Sequence, residues 1–387
     1  MAKASAEFDI IVYGASGFTG RLVAEYLAEK GVKRWAMGGR SLEKLAEVRD
    51  LIGAPADTPL VAADSDDALA LKAMCERTRV VITTVGPYQL YGSKLVAACA
   101  ETGTDYVDLC GEPGWMREMI DAHDATARQS GARIVFSCGF DSIPFDLGVW
   151  FLQQEAVKQK GKAAPRVKGR MRQMKGSFSG GTAASLTATM KAAATNPGLV
   201  KLLTSPFALT PGFEGPSQPM GLMPEHDSAT GTWTAPFIMA TINTKNVHRT
   251  NMLLGHPYGT DFRYDEMVMT TPGEAGKAIA EGMAKALKMP FGEKPPAPGE
   301  GPSAEERAAG CYDILYIGEF EDGSSLRASV GGDLDPGYGS TSRMIAEAAR
   351  TLLEHDGPGG VTTPGAAMAA PLVQRLVDHA GLWFKVE

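Results

Sequence analysis

An apolar run of strand length, a glycine turn and an amphipathic helix follow one another near the start of the chain. No other segment restricts its fold as much. Residues 8–13 (Phe-Asp-Ile-Ile-Val-Tyr) form the run. Gly14, Gly17 and Gly20 arrive at intervals of three, enclosing Ala15, Ser16, Phe18 and Thr19. Leu22, Val23, Tyr26 and Leu27 then recur with the spacing of a helix packed by one face. Such a turn lets backbone approach a pyrophosphate, and the helix start offers free N–H groups and the positive end of its dipole. The spacing is G-x-x-G-x-x-G, with Ser16 where the standard dinucleotide fingerprint has its second glycine. Two readings stand, a dinucleotide-phosphate site and a glycine turn closing an ordinary βα unit. The flanking strand and helix favour the first.

Strand and helix signals keep alternating through residue 150. Strands are expected at 33–38, 59–63, 79–85, 106–109 and 133–137, and helices at 42–51, 93–101 and 113–130. That alternation means an α/β fold, a doubly wound parallel sheet that binds ligands at the carboxyl ends of its strands. Beyond 150 the texture changes. Gly and Pro fill 196–236 and read as long loops, and 293–301 reads as a connector. Residues 312–320 and 325–330 flank Asp322-Gly323, a hairpin signal. Helices are expected at 272–287, around Met344–Leu353 and at 371–379. The expected division is a Rossmann-type domain over 1–150 and a mixed α+β domain over 151–338. The segment 339–387 would pack back on the first domain.

Several strand ends hold candidate site residues. The second strand runs into Arg40 and Ser41, with Lys44 one turn on, where an NAD site usually places an acid. A guanidinium fork suits the 2′-phosphate of NADP; the alternative is a surface arginine. Asp64 faces the adenine or caps the next helix. Thr84, Val85, Gly86 and Pro87 end the fourth strand, where ribose and nicotinamide would lie; a plain Gly-Pro turn is the alternative. Tyr88 is a candidate proton donor or a packing anchor. Glu112 is a helix cap or a site acid, with the cap favoured. Cys138, Gly139 and Phe140 end the sixth strand on the nicotinamide side. Asp141 and Ser142 are candidates for chemistry or for helix capping, and Cys138 reads as a buried thiol.

Composition narrows the function. The formal net charge of −7 argues against general nucleic-acid binding. No apolar run reaches the ~18 residues of a membrane span. The N-terminus lacks a signal-peptide apolar region, and five cysteines without C-x-x-C pairs suggest neither a disulfide framework nor zinc. A reducing cytoplasm is the expected compartment. No metal is expected: the six His show no ligand spacing, and His248 and His256 read as surface residues. Arg166, Lys168, Arg170 and Arg172 alternate, so one strand face would present four cations. This is an edge strand protected by charge or a dock for an anionic acyl carrier. Eleven of the 18 Met lie between Met171 and Met289, as core packing or an adaptable apolar pocket.

Gly14–Gly20, Gly39-Arg40-Ser41, Val85–Tyr88, Tyr106–Glu112 and Cys138–Pro144 together resemble the saccharopine dehydrogenase-like oxidoreductases, in the branch that includes the trans-acting enoyl reductases. Residues 177–182 and 359–364 extend the resemblance over most of the chain. It implies a Rossmann NADP-binding domain and a mixed second domain, and leaves the substrate open. Three functions follow. The first is an NADPH-dependent reductase of an acyl or enoyl substrate, small or carrier-linked. The second is a saccharopine-type amino-acid dehydrogenase, for which Arg249, Arg263 and Arg327 would hold carboxylates. The third is a non-catalytic NADP-binding protein. A homodimer is compatible with each.

Overall fold

The computed structural model describes residues 6–176, 180–287 and 300–387. Most of the expected connector at 293–301, Met289 of the methionine-rich stretch, and residues 177–179 of the resemblance lie outside the described residues. The first half runs β1 (Phe8–Tyr13), α1 (Phe18–Glu29), β2 (Trp35–Gly39), α2 (Leu42–Leu51), β3 (Leu60–Ala62), α3 (Ala68–Glu76) and β4 (Thr78–Thr83). It continues with α4 (Tyr88–Tyr91), α5 (Ser93–Thr102), β5 (Asp105–Val107), α6 (Pro113–Ser130), β6 (Arg133–Val135) and α7 (Ile143–Lys160). The second half runs β7 (Arg166–Lys175), α8 (Gly180–Ala193), α9 (Pro197–Thr204), β8 (Glu225–Asp227), β9 (Thr232–Pro236), α10 (Ala240–Leu253), β10 (Arg263–Met269) and α11 (Gly273–Ala286). It ends with α12 (Ala304–Ala308), β11 (Cys311–Glu319), β12 (Ser325–Gly332), α13 (Thr341–Glu354), β13 (Gly360–Thr362), α14 (Pro364–Arg375) and β14 (Leu382–Val386).

Two seven-stranded sheets result. The first, in the order β13-β6-β5-β4-β1-β2-β3, is parallel throughout. Its strands are short and apolar because helices cover both faces. Along β1, Ile10 and Val12 point into one core, while Phe8, Ile11 and Tyr13 point into the other. The first of these cores runs on through α13 (Met344, Ile345, Leu352) into Tyr312 and Tyr316 of the second sheet. The second sheet, in the order β14-β12-β11-β7-β10-β9-β8, is mixed. The chain beyond residue 339 is divided between them: α13 packs on α1, β13 pairs with β6, and β14 pairs with β12.

Four expectations need correction. The 196–236 stretch contains α9, β8 and β9; a Pro start, an Asn196 cap and short polar strands are weak signals beside so many Gly and Pro. The last helix starts at Pro364, capped by Thr363, and holds Pro371 inside it beyond a break at Met368. Strand β7 lies at the centre of its sheet, between β11 and β10, and is no edge. Its cations are not a free surface for a carrier. Arg166 pairs with Asp265, Lys168 with Asp227 and Glu319, Arg170 with Asp227 and Asp265, and Arg172 with Asp313 and Glu387.

Candidate functional site

The turn after β1 is built for close approach. Gly14 has φ +88°, a left-handed conformation that favours glycine. A Cβ on Gly20 would lie 2.2 Å from the Gly14 carbonyl oxygen and 2.8 Å from Thr84 Oγ1, so α1 begins pressed against the turn. A Cβ on Gly17 would meet only the Gly14 oxygen, at 3.3 Å. Gly17 is the N-cap of α1. No side chain caps it, and the first turn contains no acid. The leading N–H groups of this helix therefore have no side-chain cap competing for them. Ser16 and Gly17 are exposed, Phe18 and Thr19 are half-buried, and Ala15 is fully buried beneath them.

Beside this turn, Arg40 is exposed at the end of β2. Ser41 directly follows Arg40 and accepts the Lys44 N–H as the N-cap of α2. Asp64 accepts the Asp66 N–H, and Asp67 is the residue that caps α3. Asp64 and Arg40 both act on Tyr13, whose phenol is pushed above its ordinary range mainly by burial. The Tyr13 hydroxyl donates to the Ala63 carbonyl.

On the other side of the turn a cavity of about 400 Å³ opens at the carboxyl ends of β4, β5 and β6, where doubly wound sheets bind their ligands. Thr19, Thr84, Gly86, Tyr88, Gly139, Phe140, Asp141 and Ser142 all line it. Thr84 Oγ1 donates to the Gly14 carbonyl at 3.4 Å and ties this wall to the glycine turn. Val85 is half-buried, and Pro87, joined to Gly86 by a cis peptide, caps α4. The far wall comes from the second half of the chain: Ser185, Leu186, Thr189, Met190 and Ala193 of α8, Leu203 of α9, and Ile238, Met239 and Ile242 around the start of α10. Gln89 Nε2 donates to Thr189 Oγ1 at 3.1 Å, which fastens α8 to α4. Among the described residues, no Lys, Arg or His lines the cavity.

Three candidates have structural duties. The Tyr88 hydroxyl donates to the Thr83 carbonyl and accepts the Leu109 N–H, joining the ends of β4 and β5; burial holds its phenol well above the ordinary range. Cys138 is fully buried, its thiol directed at the Val135 carbonyl, and it does not line the cavity. Glu112 sits at the N-cap position of α6 without capping it. Its carboxylate instead accepts the N–H groups of Tyr88 and Gln89, anchoring the start of α4.

Asp141 differs from these. Its carboxyl is pushed up to about 6 by burial alone, with no cation to hold it ionised. Three further buried carboxyls are raised chiefly by burial: Asp108 and Asp146 to about 7, and Glu266 to about 8. Asp108 accepts the N–H groups of Cys110 and Ser137 and the Tyr106 hydroxyl, setting the ends of β5 and β6. Folding takes up protons at these groups between their ordinary and their raised values. Their contribution to stability is therefore full below about pH 4 and is lost as pH rises through 6–8. Glu266→Gln is expected to raise Tm relative to wild type by an amount that grows from pH 5 to pH 8.5, as read by thermal unfolding.

The sequence reading missed the cavity wall contributed by α8 and α10. It also placed His248 on the surface. His248 is buried in α10 against Phe207 and Phe262, and burial lowers it to about 3. The buried face of α10 holds Asn243, Lys245, Asn246 and Arg249, so apolar periodicity could not reveal it. Of the three arginines considered for a tricarboxylate, Arg249 donates to the Leu209 and Val361 carbonyls, Arg327 donates to the Ala229 carbonyl, and Arg263 is exposed at the start of β10. None lines the cavity. Among the described residues, no His, Cys, Asp or Glu group of three could hold a metal, and no helix is long and apolar enough to cross a membrane.

Residues 10–135 match the model of the saccharopine dehydrogenase NADP-binding domain. A Mycobacterium tuberculosis protein whose name marks it provisionally as a trans-acting enoyl reductase is 40% identical over 97% of each chain. Trans-acting enoyl reductases of Mycobacterium bovis and Mycobacterium leprae are 37% and 36% identical over the same share of each chain. Among solved structures, apo saccharopine dehydrogenase (L-Glu forming) of Saccharomyces cerevisiae aligns over 98% of this chain and all of its own. The TM-score is 0.55 at 12% identity. Homospermidine synthase of Legionella pneumophila, in complex with NAD, aligns over 98% of this chain and 92% of its own with the same score at 9% identity. Both likenesses concern the fold. The chain belongs to the saccharopine dehydrogenase-like family of NADP-binding oxidoreductases, in the branch of the trans-acting enoyl reductases.

Proposed function

We propose that the protein is an NADPH-dependent reductase of an α,β-unsaturated acyl substrate. One observation supports this above all: among the described residues the cavity beside the glycine turn has no basic lining residue, while Leu186, Met190, Leu203, Ile238, Met239 and Ile242 form an apolar wall. Three carboxylates, as in saccharopine, would be buried there without a cation, at a cost of several kcal/mol each. An acyl chain loses water there and gains contact. The names of the relatives point the same way.

Gly14, Gly17 and Gly20 would hold the pyrophosphate, Arg40 with Ser41 and Lys44 the 2′-phosphate, and Asp64 the adenine side. Thr84, Gly86, Gly139 and Phe140 would border the nicotinamide. When bound, NADPH supplies a hydride for the substrate's β-carbon. Asp141 then delivers the proton that completes saturation, since burial raises its carboxyl to about 6 and brings its titration nearer to neutral pH. Cavity walls exclude water and fix the chain's direction.

The test is NADPH oxidation with enoyl thioesters of increasing length. Activity should rise with length, because each buried methylene contributes up to ~0.8 kcal/mol. Activity with saccharopine, or with 2-aminoadipate semialdehyde plus glutamate, and none with thioesters would favour the amino-acid dehydrogenase. Tight NADPH binding without turnover of any substrate would favour a binding protein. For the cofactor, Arg40→Ala should weaken NADPH by roughly ten- to a hundredfold, the value of one charge-assisted hydrogen bond, and leave NADH nearly unchanged in calorimetry. Equal losses for both would make Arg40 structural.

A further inference from the structure

A line of buried polar side chains leads from the cavity into the second sheet. Ser142 lines the cavity. Its hydroxyl donates to the Asp141 carbonyl oxygen at 2.5 Å and accepts from Asn246 Nδ2 at 2.7 Å. Asn243 Oδ1 lies 3.4 Å from the same hydroxyl, and Asn243 Nδ2 donates to Glu266 Oε2 at 2.9 Å. Ser142, Asn243, Asn246 and Glu266 are each at most 1% exposed. The loop after β6 is thus tied to α10 and β10 by this connection, beside the Phe140 N–H bond to Thr341 Oγ1 of α13.

The order of contacts has a direction. Glu266 Oε2 accepts the Asn243 amide N–H, and this bond holds the Asn243 amide nitrogen toward β10. That leaves Asn243 Oδ1 on the side of Ser142. Ser142 already receives a donor from Asn246, so its own proton goes to the Asp141 backbone. Reversing the Asn243 amide would aim a second donor at Ser142 and loosen that hold.

We propose that Glu266 is a positioning residue: through Asn243 and Ser142 it fixes the loop that presents Asp141 to the cavity. The proposal rests on the reading of Asp141 as proton donor. The groups facing Glu266 are Tyr264 and Asp265 on β10, Arg170 on β7, Tyr316 on β11 and Asn243 on α10. Burial keeps the Glu266 carboxyl largely neutral at pH 7, so the connection is made of neutral hydrogen bonds and does not add a charge to the site.

Two variants separate positioning from bulk packing. Glu266→Gln keeps an oxygen that accepts from Asn243. Glu266→Met keeps the volume and removes every acceptor. Two readouts are taken on each full-length variant: the titration midpoint of Asp141, from carbon-13 carboxyl resonances assigned by their loss in Asp141→Asn, and the kcat and KM for the best enoyl thioester. Glu266→Gln should match wild type in both. Glu266→Met should move the Asp141 midpoint by about one pH unit and lower kcat roughly 10- to 100-fold with KM nearly unchanged. If Glu266→Met does not fold, Asn243→Leu breaks the same connection one link nearer and must give the same pattern. An unmoved Asp141 midpoint in the folded variant, or equal changes in the Gln and Met variants, overturns the proposal. If no thioester is reduced, the functional reading fails on its own, and the midpoint still decides whether Glu266 governs Asp141.

Discussion

Arg170→Glu is expected to abolish the folded state or to lower Tm by more than about 10 °C, as followed by circular dichroism. Arg170 is fully buried at the centre of the second sheet. Its Nε meets Asp227 at 2.6 Å and its Nη1 meets Asp265 at 2.8 Å. Removing one partner from a buried ionic group costs about 3–5 kcal/mol, a large part of an ordinary folding free energy of about 5–15 kcal/mol. Glutamate does more than remove the partner, because it puts a third carboxylate between two others. Arg172→Glu is the control. Arg172 is half-exposed and pairs with Asp313 and Glu387 near the end of the strand, where an ion pair contributes at most about 1 kcal/mol. Similar losses in both variants would mean that burial of the Arg170 cluster is not what holds this sheet.

Gly17→Val is expected to abolish measurable NADPH binding while Tm stays within a few degrees of wild type. Gly17 is exposed at the start of α1, and a Cβ there meets only the Gly14 carbonyl oxygen, at 3.3 Å. The valine would occupy the space in front of the helix N-terminus without disturbing the chain behind it. Gly20→Ala should lose both binding and stability. Its Cβ would lie 2.2 Å from the same oxygen and 2.7 Å from the Gly14 carbonyl carbon, which forces turn and helix apart. Calorimetric titration with NADPH, read beside thermal unfolding of each variant, separates the two effects. NADPH affinity unchanged in Gly17→Val would move the phosphate site away from this turn.

The first sheet was readable because parallel strands covered on both faces are short apolar runs, and glycines or prolines stop them. Helices 42–51 and 113–130 have the same ends in structure and sequence. Ser41 caps the first, while Pro113 and the left-handed Gly131 bound the second. The second sheet was harder to read. The alternating cations of β7 were plain, but their carboxylate partners lie 57 to 215 residues away. Local pattern cannot show that such a strand is central and neutralised. The same limit applies to the site. The strand-end loops were legible, whereas the cavity's far wall comes from α8 and α10, distant in sequence, and the buried face of α10 is largely polar. Glu112 was expected at the end of its own helix and serves another one, because the β4 and β5 loops meet only in space.

The division of the C-terminal segment between the two sheets bears on modularity. Met344, Ile345 and Leu352 of α13 complete a core begun by β1 and β4, and Gly360 pairs with Arg133 across more than two hundred residues of chain. A fragment ending near residue 150 would contain the glycine turn and every strand of the nucleotide sheet except the last. It would also present a bare apolar face and an open β6 edge, the features that drive association between chains. The outermost strand on one side of each sheet comes from the C-terminal segment, β13 on the first and β14 on the second. The first sheet and its core are thus completed by residues more than two hundred positions further along the chain.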